Sequence, residues 1–199
     1  MLWHLSYPQG DSINTFIDSE FSTVQYTSFD KVLSTISEIG KGALLARMDV
    51  KSAFRLLILN PDEFDLFGFK FKGQFFLDKC FPMGCFASCA LFEKFPSFLE
   101  WTIKFISGKE SIEHYLDDFL FVGRPCTTEC TELMSTFRSL CDYMGVPLAE
   151  EKTIGPACII IFLRPRNWYF GNGYKNPTRK TCWSTAQVAY GFKQKEGNF

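Results

Sequence analysis

Apolar side chains recur at helical spacing in three stretches of this chain, and between those stretches they alternate with polar residues or cluster in short runs. After Thr27-Ser28, the residues Phe29, Val32, Leu33, Ile36 and Ile39 lie three or four apart until Gly40, which predicts an amphipathic helix with one face on a core. Residues 43–48 (ALLARM) form an apolar run closed by Asp49, suited to a central strand covered on both faces. Residues 51–54 read as one helical turn, and residues 55–59 as a strand ended by Asn60-Pro61. Phe67, Phe69 and Phe71 then alternate with Gly68 and Lys70. Lys72-Gly73 supplies a turn, and Phe75 and Leu77 alternate on the return, so a hairpin is expected. Residues 81–84 (FPMG) read as a rigid turn. Ser88 caps a long amphipathic stretch bearing Leu91, Phe92, Phe95, Phe98, Leu99 and Trp101, which Pro96 is expected to kink. Residues 113–123 (EHYLDDFLFVG) read as two short strands meeting at an acidic turn. Thr128 caps a third helix, with Leu133, Phe137, Leu140, Cys141 and Met144 inward and Gly145 closing it. Residues 146–148 and 159–163 are the last strand-like runs, and from Pro165 onward no period is sustained.

With 199 residues, 46% of them hydrophobic, the chain can bury one sizeable core. Phe supplies 23 residues, so aromatic stripes are taken as core. No apolar run is long enough for a membrane span and the first residues lack a secretory layout, so an intracellular protein, cytoplasmic or nuclear, is expected. The eight cysteines fall largely in apolar segments and read as reduced, packed thiols. The two C-x3-C pairs have no His at finger-like spacing, which argues against zinc. Charge is divided unevenly. Residues 1–163 hold 14 Lys and Arg against 21 Asp and Glu, a net −7, while residues 164–199 hold 7 against 1, a net +6. An acidic folded body, 1–164, followed by a basic, poorly ordered tail, 165–199, is therefore expected.

The acidic turn carries the chemistry. Asp117 and Asp118 sit between the apolar pairs and runs that would form buried strands. Carboxylates on rigid apolar supports need cations, and convergent carboxylates suit Mg²⁺ ions that share a phosphate substrate. An ordinary solvated Asp-Asp turn is the alternative. If the strand ending at Asp49 neighbours this hairpin, three carboxylates meet at one sheet edge as a two-metal site.

Five stretches, in this order, resemble the palm motifs of reverse transcriptases: MDVKSAF (48–54), FPMGCFASCALFEKF (81–95), HYLDDFLFVG (114–123), GVPLAEEKT (145–153) and FLR (162–164). Residues 4–14 (HLSYPQGDSIN) and the CALFEKF wording are most similar to reverse transcriptases of DIRS-type retroelements, transposable elements mobilised by tyrosine recombinases. The resemblance spans roughly residues 3–164. It implies an α+β fold, a right-hand polymerase palm with part of the fingers, in which an antiparallel sheet is backed by helices. It also implies RNA-directed DNA polymerase activity on an RNA or DNA template with primer and deoxynucleoside triphosphates. Two Mg²⁺ ions, replaceable by Mn²⁺, would be bound by Asp49 and Asp117 with Asp118 in support. Phe54 matches the family's sugar gate, Gly84 and Ser88 the positions beside the nascent base pair and template, and Lys152 the lysine assigned to the leaving pyrophosphate. From pattern alone, Phe54 is equally one more core ring, Gly84 and Ser88 are a turn and a helix cap, and Lys152 is a partner of Glu150 or Glu151.

Several positions depart from the family pattern. The chain starts within the fingers, Met83 stands where Phe or Gln is usual, Pro96 falls inside a helix, and Arg164 replaces a glycine. A truncated enzyme, weak or inactive alone, is therefore expected. The alternative is a catalytically dead relic or domesticated palm that binds nucleic acid or protein.

Overall fold

The apolar run before Asp49 becomes β1 (Leu44–Asp49), and it lies inside a sheet because both of its faces find cover. The structure is a computed structural model that describes residues 5–162 and 187–189. In it, β1 pairs antiparallel with β5 (Asp118–Gly123) on one side and β6 (Ile154–Ala157) on the other. Strand β4 (Ile112–Tyr115) pairs with the far side of β5, giving the order β4-β5-β1-β6. Successive side chains point to opposite faces, so one strand serves two cores. Ala46, Met48, Phe119 and Phe121 meet Leu99 and Ile103 of α2 (Phe86–Ser107) and Leu133, Phe137 and Cys141 of α3 (Glu129–Met144). On the other face, Leu45, Leu120 and Val122 meet Val32 and Ile36 of α1 (Phe29–Ile39), together with Ile160 and Phe162.

Local chemistry sets the element ends. The Ser28 hydroxyl accepts from the Lys31 amide at 3.1 Å to start α1, and Gly40, at φ 93°, stops it. Gly123 allows a close approach: a Cβ there would lie 2.5 Å from the Cys130 nitrogen, so only glycine lets the first turn of α3 press on the end of β5. Arg47 and the following Asp49 lie on the side of the sheet edge where β1 opens into the 3-10 turn Ala53–Leu56.

The structure corrects several expectations. Residues 55–59 are not a strand; the 3-10 turn takes Arg55 and Leu56, and a single bridge, Ile58 to Cys80, follows. The N-cap of α2 is Cys85, three residues before Ser88, which lies inside the helix with its hydroxyl donating to the Pro82 carbonyl at 3.0 Å. Helix α2 runs on through the buried Pro96, whose missing donor is tolerated because the surrounding turns are packed on the sheet. Thr128 precedes α3 without capping its amides, and Met134 rather than the exposed Met144 completes its inner face. Residues 146–148 contribute one bridge, Val50 to Leu148. Strand β6 was not expected from the sequence; its Pro156 is compatible with an edge strand.

The phenylalanine hairpin forms in the expected register as β2 (Gly68–Phe71) and β3 (Gln74–Leu77), with Lys72 and Gly73 both at positive φ. Its side chains are not core: Phe71, Phe75, Phe76 and Leu77 are exposed. Strand β7 (Ile159–Ile161) pairs antiparallel with β8 (Gln187–Ala189). The rest of the expected basic tail, 165–199, lies outside the described residues. Among the described residues no helix is long and apolar enough to cross a membrane.

Candidate active site

The β1–β5 register sets Asp49 directly opposite Asp118, which fulfils the tertiary condition the sequence left open. Asp117 occupies the two-residue turn between β4 and β5, with Leu116 beside it at φ 53°. A branched side chain in the left-handed region is disfavoured by about 1–2 kcal/mol. The turn is held from both flanks: Tyr115 pairs with Asp118, and the Asp117 carbonyl accepts from the Val50 amide at 2.8 Å. That last bond ties the acidic turn to the end of β1.

A second segment closes on the same point. The Asp49 carbonyl accepts from the Ala149 amide at 2.8 Å, and the Lys51 amide donates to the Pro147 carbonyl at 2.9 Å. These bonds seat the short 3-10 turn Glu150–Lys152 so that the Lys152 ammonium donates to both Asp49 oxygens, at 2.9 and 3.0 Å. Lys152 thus pairs with neither Glu150 nor Glu151; Glu150 is taken by Arg138. Arg47, two residues before Asp49, brings its Nε to 3.6 Å from Asp118 Oδ1.

Electrostatically the cluster is short of positive charge. Burial raises the Asp117 carboxyl, and the neighbouring Asp49 adds to the rise while Lys152 and Arg47 oppose it. Burial likewise pushes Asp118 up to about 7; Arg47 counteracts, but Asp117 and Asp49 both push further upward. The Lys152 ammonium is raised, chiefly by its hydrogen bonds to Asp49. Asp118 Oδ1 is buried without a hydrogen-bond partner.

An acidic site of this kind fits a hard divalent cation. The donors are all carboxylate oxygens, one buried oxygen is unsatisfied, and the mutual repulsion would be relieved by added positive charge. Among the described residues, no three His, Cys, Asp or Glu side chains form a ready-made cage.

The other sequence-derived candidates sit on adjoining turns. Phe54, half-buried, rests its ring 5.0 Å from that of Phe92. Gly84 adopts φ 97°, a conformation side chains rarely take, and its carbonyl accepts from Asn14 Nδ2 at 2.8 Å. Asn14 Oδ1 in turn accepts from the Phe86 amide at 3.0 Å, so one buried side chain holds both sides of the Gly84 turn. Sequence reasoning missed Asn14 and Arg47 as elements of the site. Asn14 lay inside the quoted 4–14 stretch, but its partners are 70 and 72 residues away. Arg47 is the one charged residue in the apolar run 43–48, and that was the available signal.

Comparison with known proteins bears on the family and the fold. A family model, reverse transcriptase (RNA-dependent DNA polymerase), matches residues 8–157. No curated protein matches the chain. Among solved structures, the prototype foamy virus protease–reverse transcriptase (a selenomethionine-labelled CSH mutant) is similar with TM-score 0.62 at 18% identity, over 77% of this chain and 19% of that one. A foamy viral protease–reverse transcriptase in complex with double-stranded DNA matches with TM-score 0.59 at 17% identity, over 76% and 25%. The same kind of protein in complex with RNA/DNA hybrid gives 0.55 at 18% identity, over 70% and 18%. The chain thus spans about a quarter or less of the length of these proteins, and the likeness is one of fold. A family match over three-quarters of the sequence, an antiparallel sheet backed by helices and an Asp49–Asp118 pairing at its edge together place this chain in the reverse transcriptase family.

Proposed function

We propose that residues 1–164 are the palm and part of the fingers of a retroelement reverse transcriptase of DIRS type, and that Asp49, Asp117 and Asp118 are its nucleotidyl-transfer site. The observation that carries this reading is the β1–β5 register, which sets Asp49 against Asp118 with Asp117 in the adjoining turn and Lys152 on Asp49. Asp49 and Asp117, supported by Asp118, would hold Mg²⁺ or Mn²⁺, and bound cations would supply activation of the primer 3′-hydroxyl and neutralisation of phosphate charge. The chain's own groups do the rest. Arg47 and Lys152 balance the carboxylates while no substrate is present. The Lys152 ammonium, seated by its two hydrogen bonds to Asp49, supplies a positive charge that neutralises the departing pyrophosphate. The Phe54 ring lies under the incoming sugar and excludes a 2′-hydroxyl by bulk. The Gly84 turn, clamped by Asn14, permits close backbone approach to the new base pair, with Ser88 bracing it through Pro82.

Template with primer and deoxynucleoside triphosphates are the partners this reading requires. The body's −7 charge opposes a phosphate backbone, so duplex grip must come from basic segments outside it. Primer extension by this palm fused to the upstream fingers and thumb of a full reverse transcriptase tests the proposal. Mg²⁺-dependent synthesis that Asp117→Asn abolishes is expected. A fusion that folds and binds primer-template but synthesises nothing supports the other reading, a binding module without catalysis.

A further inference from the structure

Helix α2 is apolar on two opposite faces. One face, Phe92, Leu99 and Ile103, is fully buried against the sheet and α3. The other carries Leu91, Phe98, Trp101 and Phe105, all exposed, Trp101 at 60% and Phe105 at 75%. A surface helix ordinarily keeps its outer face polar, whereas this outer stripe is apolar. The rings are also ordered into a ladder: Phe98 and Trp101 stack with centroids 6.5 Å apart, and Trp101 and Phe105 at 5.5 Å with planes 14° apart. Rings already stacked lose little further freedom when covered.

We propose that this ladder is a self-association surface, on which two copies of the chain pack their α2 helices antiparallel about a two-fold axis at Phe98. The spacing along the stripe is what singles out a second copy. Measured from Phe98, Leu91 lies seven residues before and Phe105 seven after; Lys94 lies four before, and Trp101 and Thr102 three and four after. An isologous contact requires such self-complementarity, since residue i must meet residue j while j meets i. Antiparallel packing sets Phe98 on its own copy and Leu91 on the second copy's Phe105. The one charged side chain on the stripe, Lys94, then falls over the second copy's Trp101, where the indole face accepts a cation. Size agrees as well. With aromatic side chains contributing ~150–250 Å² each when whole, the exposed parts of these four residues amount to roughly 400 Å² of apolar surface. With its polar rim of Lys94, Ser97 and Thr102, the stripe approaches the roughly 800 Å² per partner of a stable interface.

Sedimentation velocity of the 199-residue chain across a micromolar concentration series tests this. A dimer is expected, with Trp101→Glu and Phe105→Glu each weakening it more than 100-fold without altering the far-ultraviolet circular dichroism. Lys94→Glu should weaken it about thirtyfold, the loss of two symmetry-related cation–π contacts of about 1 kcal/mol each. Phe75→Glu, on the separate β2–β3 hairpin, should leave the dimer unchanged. A wild-type monomer throughout the series would assign this face to some other occupant and overturn the proposal. A dimer that survives Trp101→Glu and Phe105→Glu, or one that Phe75→Glu dissociates, would overturn it too.

Discussion

The two hairpins of this protein are built from nearly the same parts and end in opposite situations. Both alternate aromatic residues, both close on two-residue turns, and both contain a non-glycine residue at positive φ, Lys72 in one and Leu116 in the other. In β4–β5, Phe119, Leu120, Phe121 and Val122 are buried, and β5 is flanked by strands on both sides. In β2–β3, no third strand joins among the described residues, and Phe75 is 80% exposed with Lys70 above its ring at 5.3 Å. Cover on both faces is what gives the acidic hairpin its chemistry. Desolvation by that cover raises Asp117 and Asp118, and the same cover holds them in fixed positions.

The largest expected effect tests that difference in packing. Phe119→Ala removes a ring that is fully buried and lies 4.4 Å, centroid to centroid, from Phe137. Urea denaturation should show a loss of about 3–5 kcal/mol. Phe75→Ala should change stability by less than about 0.5 kcal/mol. Comparable losses at the two sites would erase the distinction.

A second test uses the buried His114 on β4, whose ring nitrogens meet Glu93 at 3.0 Å and Glu100. Burial alone would lower its pKa, but the hydrogen bonds to Glu100 and then Glu93 prevail and raise it to about 9, against 6.5 for the free side chain. The protonated ring therefore stabilises the fold fully below about pH 6.5, and this contribution is lost as pH rises through 9. At about 1.36 kcal/mol per unit the change is on the order of 3 kcal/mol. Melting temperature should fall across this interval in the wild type, while His114→Gln should flatten that fall; an unchanged profile in the mutant would remove His114 from the account.

Smaller effects belong to the carboxylates. Asp118→Asn removes a charge whose burial is unfavourable, so without metal it should stabilise the protein by about 1–2 kcal/mol near pH 8. The gain should vanish toward pH 4, because the ordinary carboxyl is itself protonated there. In the wild type, Mg²⁺ or Mn²⁺ should raise the melting temperature, and Asp117→Asn should remove most of that rise. The smallest effect lies in the solvated turn: Lys72→Asn, at φ 50° before Gly73, should add about 0.5 kcal/mol by supplying a residue that tolerates the left-handed region.

The order of elements was legible because it rests on local periodicity. Ser28 and Gly40 bound α1, Lys72-Gly73 turns the second hairpin, and the apolar run before Asp49 needs cover on both faces, and all of these took the expected form. Errors arose where a local signal was overruled from outside. Residues 55–59 looked like a strand and became a 3-10 turn with one bridge, Ser88 looked like a cap and became an internal brace, and the hairpin phenylalanines looked like core and were left in water. Asn14 and Arg47 could not be read as site residues because their partners lie far along the chain or across a strand pairing.

By itself the sequence determined which residues could do the chemistry: three aspartates at the ends of apolar strands, in an order of motifs that resembles a polymerase palm. Period, turn chemistry and motif order are properties of neighbouring residues, and the chain states them directly. Only the tertiary structure decided that Asp49 faces Asp118, that Lys152 rather than solvent neutralises Asp49, and that one aromatic hairpin is buried while the other is bare. Register between distant strands and cover by distant helices depend on contacts between residues far apart in the chain, such as Asp49 and Asp118, and no local pattern encodes which of two similar segments will receive them.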